Sequence, residues 1–154
     1  MKKINKLLTV ILICGFCQPA LSALINEMQA CQGLLTYIDN KLNTAPSEYP
    51  SDKVKKVREG LKQYNVYIQD QIVAPGLLQF NAGDKAKAKA MQLQVDSYKT
   101  TIVKGMQAKD SSSKVTSNHA IAINNCAKKA VPSGQALENL KFAINTLVEL
   151  AQLN

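Results

Sequence analysis

The sequence predicts an all-α fold, an up-down bundle of four to five antiparallel helices preceded by a cleavable signal peptide. Three observations carry this reading. Apolar residues recur at alternating steps of three and four along most of the chain, the periodicity of a helix with one buried face. The breaks between these stretches are short and rich in proline, serine and glycine, which favours antiparallel neighbours. The N-terminus is lysine-led, then apolar, then small-residued, the order of an export signal.

Lys2, Lys3 and Lys6 precede the apolar run Leu7 to Cys17, and Pro19-Ala20-Leu21-Ser22-Ala23 follows it. A run of 11 residues is too short to span a bilayer as a helix, which takes about 20 residues. Ala20 and Ser22 occupy the small positions expected before a cut after Ser22, giving a leader over residues 1–22 and one domain over residues 23–154. Ile13 and Phe16 stand before Cys14 and Cys17, where an acylated cysteine would follow a small residue, so lipidation is not expected. Loss of Lys2, Lys3 and Lys6, with no acid in the segment, lowers the formal charge from +8 to +5. The domain left is moderately basic. With 46% hydrophobic and 19% charged residues the chain is globular.

Processing also removes Cys14 and Cys17 and leaves Cys31 and Cys126. An even pair in an oxidising compartment predicts a disulfide. The lysine-led leader and the absence of any Asn-x-Ser/Thr acceptor together indicate a bacterial periplasm.

The first helix carries Leu24, Met28, Cys31, Leu35, Ile38 and Leu42 on one stripe and breaks at Thr44-Ala45-Pro46-Ser47. Ser51 is placed to cap the second, whose stripe is Val54, Val57, Leu61, Tyr64, Ile68 and Ile72. Ala74-Pro75-Gly76 predicts its end, with Leu77 to Gly83 as an apolar loop. Asp84 is an N-cap for a third helix with Ala88, Met91, Val95, Tyr98, Ile102 and Met106 inward. Asp110-Ser111-Ser112-Ser113 ends it. A fourth helix over residues 114–130 turns inward Val115, His119, Ala122 or Ile123, and Cys126, and the last carries Leu137, Leu140, Ile144, Leu147 and Ala151. In an up-down bundle the start of the first helix and the end of the fourth lie at one end, where Cys31 and Cys126 stand.

No catalytic constellation is legible. His119 is the single histidine, and no G-x-S-x-G, H-E-x-x-H, P-loop or, after processing, C-x-x-C pattern occurs. No metal site is expected. Met28 and His119 resemble the axial pair of periplasmic b-type cytochromes, which would imply a haem-binding bundle. Measured from the two cysteines, however, they differ in height by roughly 15 Å at 1.5 Å per residue, so no cofactor is expected. Glu48, Asp52, Glu59, Asp70, Asp84, Asp96 and Asp110 are scattered over faces and breaks. Gly33, Gly60 and Gly105 interrupt predicted helices at a cost of about 1 kcal/mol each relative to alanine.

Lys55, Arg58 and Lys62 share one face of the second helix at steps of three and four, within the densest basic stretch of the chain. They form a candidate interaction face for an anionic partner. Aromatics are not interleaved with them as single-strand binding would require, and the charge is modest, so the expected partner is a protein with an acidic surface rather than nucleic acid. Tyr64 and Tyr67 offer either an interface or a core edge. The expectation is therefore a non-catalytic periplasmic binder, of the inhibitor or immunity type that masks an envelope-targeting enzyme. An accessory subunit of an envelope secretion or transfer assembly is the alternative.

Overall fold

The computed structural model describes the backbone of residues 18–153 and the side chains of residues 21–153. It is all-helical: α1 (Gln18–Asn43), α2 (Ser51–Ile68), a π-helical segment (Gln69–Val73), α3 (Ala74–Phe80), α4 (Lys85–Lys109), α5 (Ser117–Lys129) and α6 (Gly134–Ala151). Because α2, the π segment and α3 run on as one rod, the described residues form five rods. The expected leader falls largely on residues 1–17, which lie outside the described residues, and the expected cut after Ser22 lies within α1.

Cross-helix pairs give the directions. Asp39 meets Arg58 and Gln32 meets Gln69, so α1 and α2 are antiparallel. Lys53 meets Glu149 and Gln63 meets Asn139, which sets α6 antiparallel to α2. Cys31 bonds Cys126 while Tyr37 stacks edge-on against His119, so α5 runs against α1. These four helices form a square, and α4 packs on its outside against α1 and α3. Gly33 faces Ile102 and Tyr37 bonds Asp110, so α4 runs parallel to α1.

That arrangement makes α1 the hub. Its expected stripe is in the core, with Met28, Leu35, Ile38 and Leu42 at 0–2% exposure. A second face that the pattern does not announce is buried too, carrying Ile25, Gln29, Gln32 and Gly33 toward α4 and the π segment. The interface there is polar and directional. Gln32 donates to Gln69, Gln69 to Gln92, and Gln92 to the Asp96 carboxylate. A carboxylate only accepts, so it orients every amide upstream. The orientation leaves the buried Gln32 Oε1 without a donor.

Several expectations are corrected. The second helix does not stop at Pro75: the wider π turn at Gln69–Val73 precedes it, and Pro75 sits in the first turn of α3, where a missing N–H costs little. Leu77 to Phe80 are therefore helical, with Leu77 buried. Tyr98 is 53% exposed rather than inward. The inward line of α4 steps from Val95 by four to Lys99, whose stem is covered while its ammonium reaches Asp96. Finally, α5 starts at Ser117 rather than at residue 114, and α2 has Pro50 rather than Ser51 at its N-cap. Asp84 does cap α4, accepting from the N–H groups of Ala86 and Lys87.

The helix-interior glycines separate by environment. A Cβ on Gly60 would stand 2.7 Å from the Asn139 carbonyl oxygen and 3.1 Å from Ala143 Cβ, so this glycine lets α2 and α6 touch. One on Gly105 would meet nothing within 4 Å. We therefore expect opposite signs in urea denaturation. Gly60→Ala should lose about 1–3 kcal/mol through overpacking, whereas Gly105→Ala should gain up to about 1 kcal/mol from helix propensity.

Candidate functional site

The chain leaves α1 at Asn43, is turned by Pro46 and Pro50, and returns as α2. Between the last turns of α1, this connection and the first turns of α2 lies a groove of about 800 Å³. Its apolar lining includes Leu42, Val54 and Tyr49. Lys55, Arg58 and Lys62 all line it, so the structure brings together the three cations grouped by the sequence.

Their electrostatic states differ. Arg58 Nε donates to Asp39 Oδ1 at 2.7 Å and its terminal nitrogen to Oδ2 at 3.3 Å, a bidentate pair that consumes much of its charge. This hydrogen bonding to Asp39 raises the Arg58 pKa and keeps it cationic. Lys55 and Lys62 are exposed and make no ion pair with any described residue. The groove therefore offers two unneutralised ammonium groups two helical turns apart, with Glu59 between them and Arg58 held back. Asp39 was not legible as a partner, because it lies off the apolar stripe and 19 positions before Arg58.

A second polar cluster lies where the 110–116 connection crosses α1. Lys41, only 5% exposed, pairs with Asp110 at 3.0 Å and donates to the carbonyl oxygens of Ser112 and Lys114. Tyr37 donates to Asp110 at 2.9 Å, and burial together with that carboxylate pushes its phenol up to about 12. Hydrogen bonds from Lys41 and Tyr37 hold the Asp110 carboxyl below its ordinary value. All of these contacts fix the connection to α1. The sequence does not announce this burial, because Lys41 lies off the apolar stripe, which steps from Ile38 to Leu42.

His119 belongs to this cluster. Its Nδ1 accepts the Thr116 N–H at 3.0 Å, closing the first turn of α5, and its ring lies 5.7 Å from Tyr37. An imidazole that accepts at Nδ1 is neutral, and burial, helped by the Lys41 charge, lowers its pKa from 6.5. Below that value the unfolded chain takes up a proton that the folded one resists, so this contribution is complete above about pH 6.5 and falls as the pH is lowered. His119→Gln is expected to flatten the melting temperature between pH 7 and pH 5 relative to the parent protein. Met28 and His119 are not brought together. His119 sits beside Tyr37, nine residues beyond Met28 on α1, or about 13 Å along the axis.

The two tyrosines of α2 serve the fold. Tyr64, fully buried, donates to the Ala130 carbonyl at 3.0 Å, and Tyr67 to that of Val131 at 2.9 Å, so the pair anchors the α5–α6 turn. Among the described residues no group of three or more His, Cys, Asp or Glu could hold a metal ion. No described helix is long and apolar enough to cross a membrane.

Fold and groove together define a disulfide-closed helical bundle with a cationic groove at one end. Compared with protein-family models, curated proteins and solved structures, the chain finds no significant match.

Proposed function

We propose that this protein is exported to the bacterial periplasm through an N-terminal leader cleaved after Ser22 and acts there without catalysis, by binding another macromolecule. Its partner is a protein with an acidic surface, and its role is that of an inhibitor or immunity-type protein masking an envelope-targeting enzyme. The observation that carries this reading is the α1–α2 groove, in which Lys55 and Lys62 are exposed and uncommitted above apolar walls. Charged rims around apolar pockets steer partners and set specificity, while the apolar part supplies affinity. A Cys31–Cys126 bond keeps such a scaffold preorganised outside the cytoplasm.

The test is capture of envelope proteins on the immobilised disulfide-bonded protein, followed by mass spectrometry. One stoichiometric partner is expected, and Lys55→Glu with Lys62→Glu should weaken its retention at least tenfold, with added salt doing the same. Arg58→Glu is a poorer probe, since it also strands Asp39. A partner held equally by the double variant would refute the groove as its site. Co-fractionation with one large envelope complex would favour the accessory-subunit alternative.

A further inference from the structure

Three neighbouring residues of the 110–116 connection are held by three different elements. The Lys114 carbonyl oxygen accepts from Lys41 of α1. Val115, fully buried, donates its N–H to the Tyr49 hydroxyl at 3.3 Å. Thr116 donates its N–H to His119 Nδ1, in the first turn of α5, at 3.0 Å. Tyr49 belongs to the α1–α2 connection, is itself only 4% exposed, and lines the cationic groove. Its neighbour Glu48 pairs with Lys114 at 3.8 Å. The wall of the groove therefore rests on the same strap that His119 secures.

His119 is the member of this set whose ordinary charge change lies nearest neutrality. Its Nδ1 accepts only while it carries no proton. Once protonated, it turns an N–H toward the Thr116 N–H, and two donors face one another. The surroundings add to the conflict. α1 presents Tyr37 and Lys41 to the ring, and the connection presents Asp110. Lys41 and Asp110 already neutralise each other as an ion pair, so a protonated His119 is an unbalanced cation beside Lys41. α6 also packs on α5, but its charged groups are committed elsewhere, Glu149 to Lys53 of α2 and Lys141 to Glu138. The cations of α5 itself, Lys128 and Lys129, stand in its last turn. Loss of the Thr116 bond frees the strap one residue from Val115, whose 3.3 Å bond to Tyr49 is already long for an N–H···O contact.

We propose that the 110–116 connection is a proton-sensitive strap on the cationic groove: protonation of His119 releases Thr116 and Val115, Tyr49 loses this tether, and the groove wall yields. The groove is formed near neutral pH and loosened in acid. That the strap regulates capture of a protein partner rests on the function proposed above, whereas the strap itself is read in the isolated protein.

The test is an NMR titration of the disulfide-bonded protein from pH 7 to pH 5. The His119 ring, the Val115 and Thr116 amides, the Tyr49 ring and the methyl groups of Val54, which also lines the groove, are expected to shift together with one midpoint. Protection of the Val115 amide, corrected for the intrinsic pH dependence of exchange, should be lost over the same range. Two variants separate coupling from a general effect of acid. Glutamine three residues after the Thr116 N-cap completes a capping box and does not titrate, so His119→Gln should hold the Tyr49 and Val54 signals constant. Tyr49→Phe cuts the tether, so His119 should still titrate while the Val54 signals no longer follow it. A His119 that stays neutral throughout, or Val54 signals that ignore its titration in the parent protein, would overturn the proposal. Val54 signals that still move in His119→Gln, or that follow His119 undiminished in Tyr49→Phe, would overturn it equally. None of these outcomes involves a partner, so failure of the strap and failure of the capture experiment are told apart.

Discussion

Reducing the Cys31–Cys126 bond, or replacing both cysteines by serine, is expected to lower the melting temperature by about 15 °C. The bond closes a sequence separation of 95 residues, and in the chain-entropy model a loop of that length restricts the unfolded chain enough to stabilise the fold by about 4–5 kcal/mol. For a domain of this size each kcal/mol moves the midpoint by about 3–4 °C. The position of the bond adds to the effect. It ties α5 to the hub helix α1, and the loop it closes contains α2, α3 and α4. Differential scanning calorimetry with and without reductant, with thiol content verified by mass spectrometry, measures the shift. An unchanged midpoint after verified reduction would show that the bond contributes nothing.

Lys41→Met is expected to cost about 2–3 kcal/mol, the second-largest single effect. Every donor direction of the Lys41 ammonium is used: the Asp110 carboxylate and the carbonyl oxygens of Ser112 and Lys114. Breaking a buried pair by removing one partner typically costs about 3–5 kcal/mol, and the 40% exposure of Asp110 reduces that here. Methionine keeps the apolar stem volume, so the loss reports the polar lock rather than a cavity. The expected signature is local as well as global. Amide exchange should rise over residues 110–116 before it rises in the core helices. Because the native Asp110 carboxyl titrates below its ordinary value of 3.8, its share of the lock is present above that pH and is lost as acid protonates it in the folded state. Denaturation in urea and hydrogen exchange measure both. A normal midpoint with unchanged exchange in that segment would refute the lock.

Much of this fold was legible because one physical signal dominates it. The stripes of α1, α2 and α6 face the antiparallel square, and there the 3.6-residue period maps directly onto burial. The reading failed where burial is polar or two-sided. α1 is a hub, and its second face of Gln29, Gln32 and Gly33 carries no apolar period that could announce α4. For the same reason the period misplaces Tyr98: it points the inward line of α4 at an apolar neighbour, and the actual neighbour is a glutamine relay. Pro75 terminates a regular α-helix, and the π turn before it changes the geometry so that the rod continues. Of the candidate site, the grouping of Lys55, Arg58 and Lys62 was legible from spacing along one helix. The concavity beside them was not, because it depends on Pro46, Pro50 and Tyr49 in the preceding connection. Nor was the difference in charge state, which a carboxylate on another helix decides.

The central claim is that the α1–α2 groove holds a protein partner outside the cytoplasm, and site-specific photocrosslinking in living cells tests it most directly. A photoreactive residue at Val54 or Glu59, both lining the groove, should give one adduct of defined mass in the periplasmic fraction. The same residue at Thr101, on the exposed side of α4, should give none. An adduct from Thr101 with none from the groove positions would contradict the account.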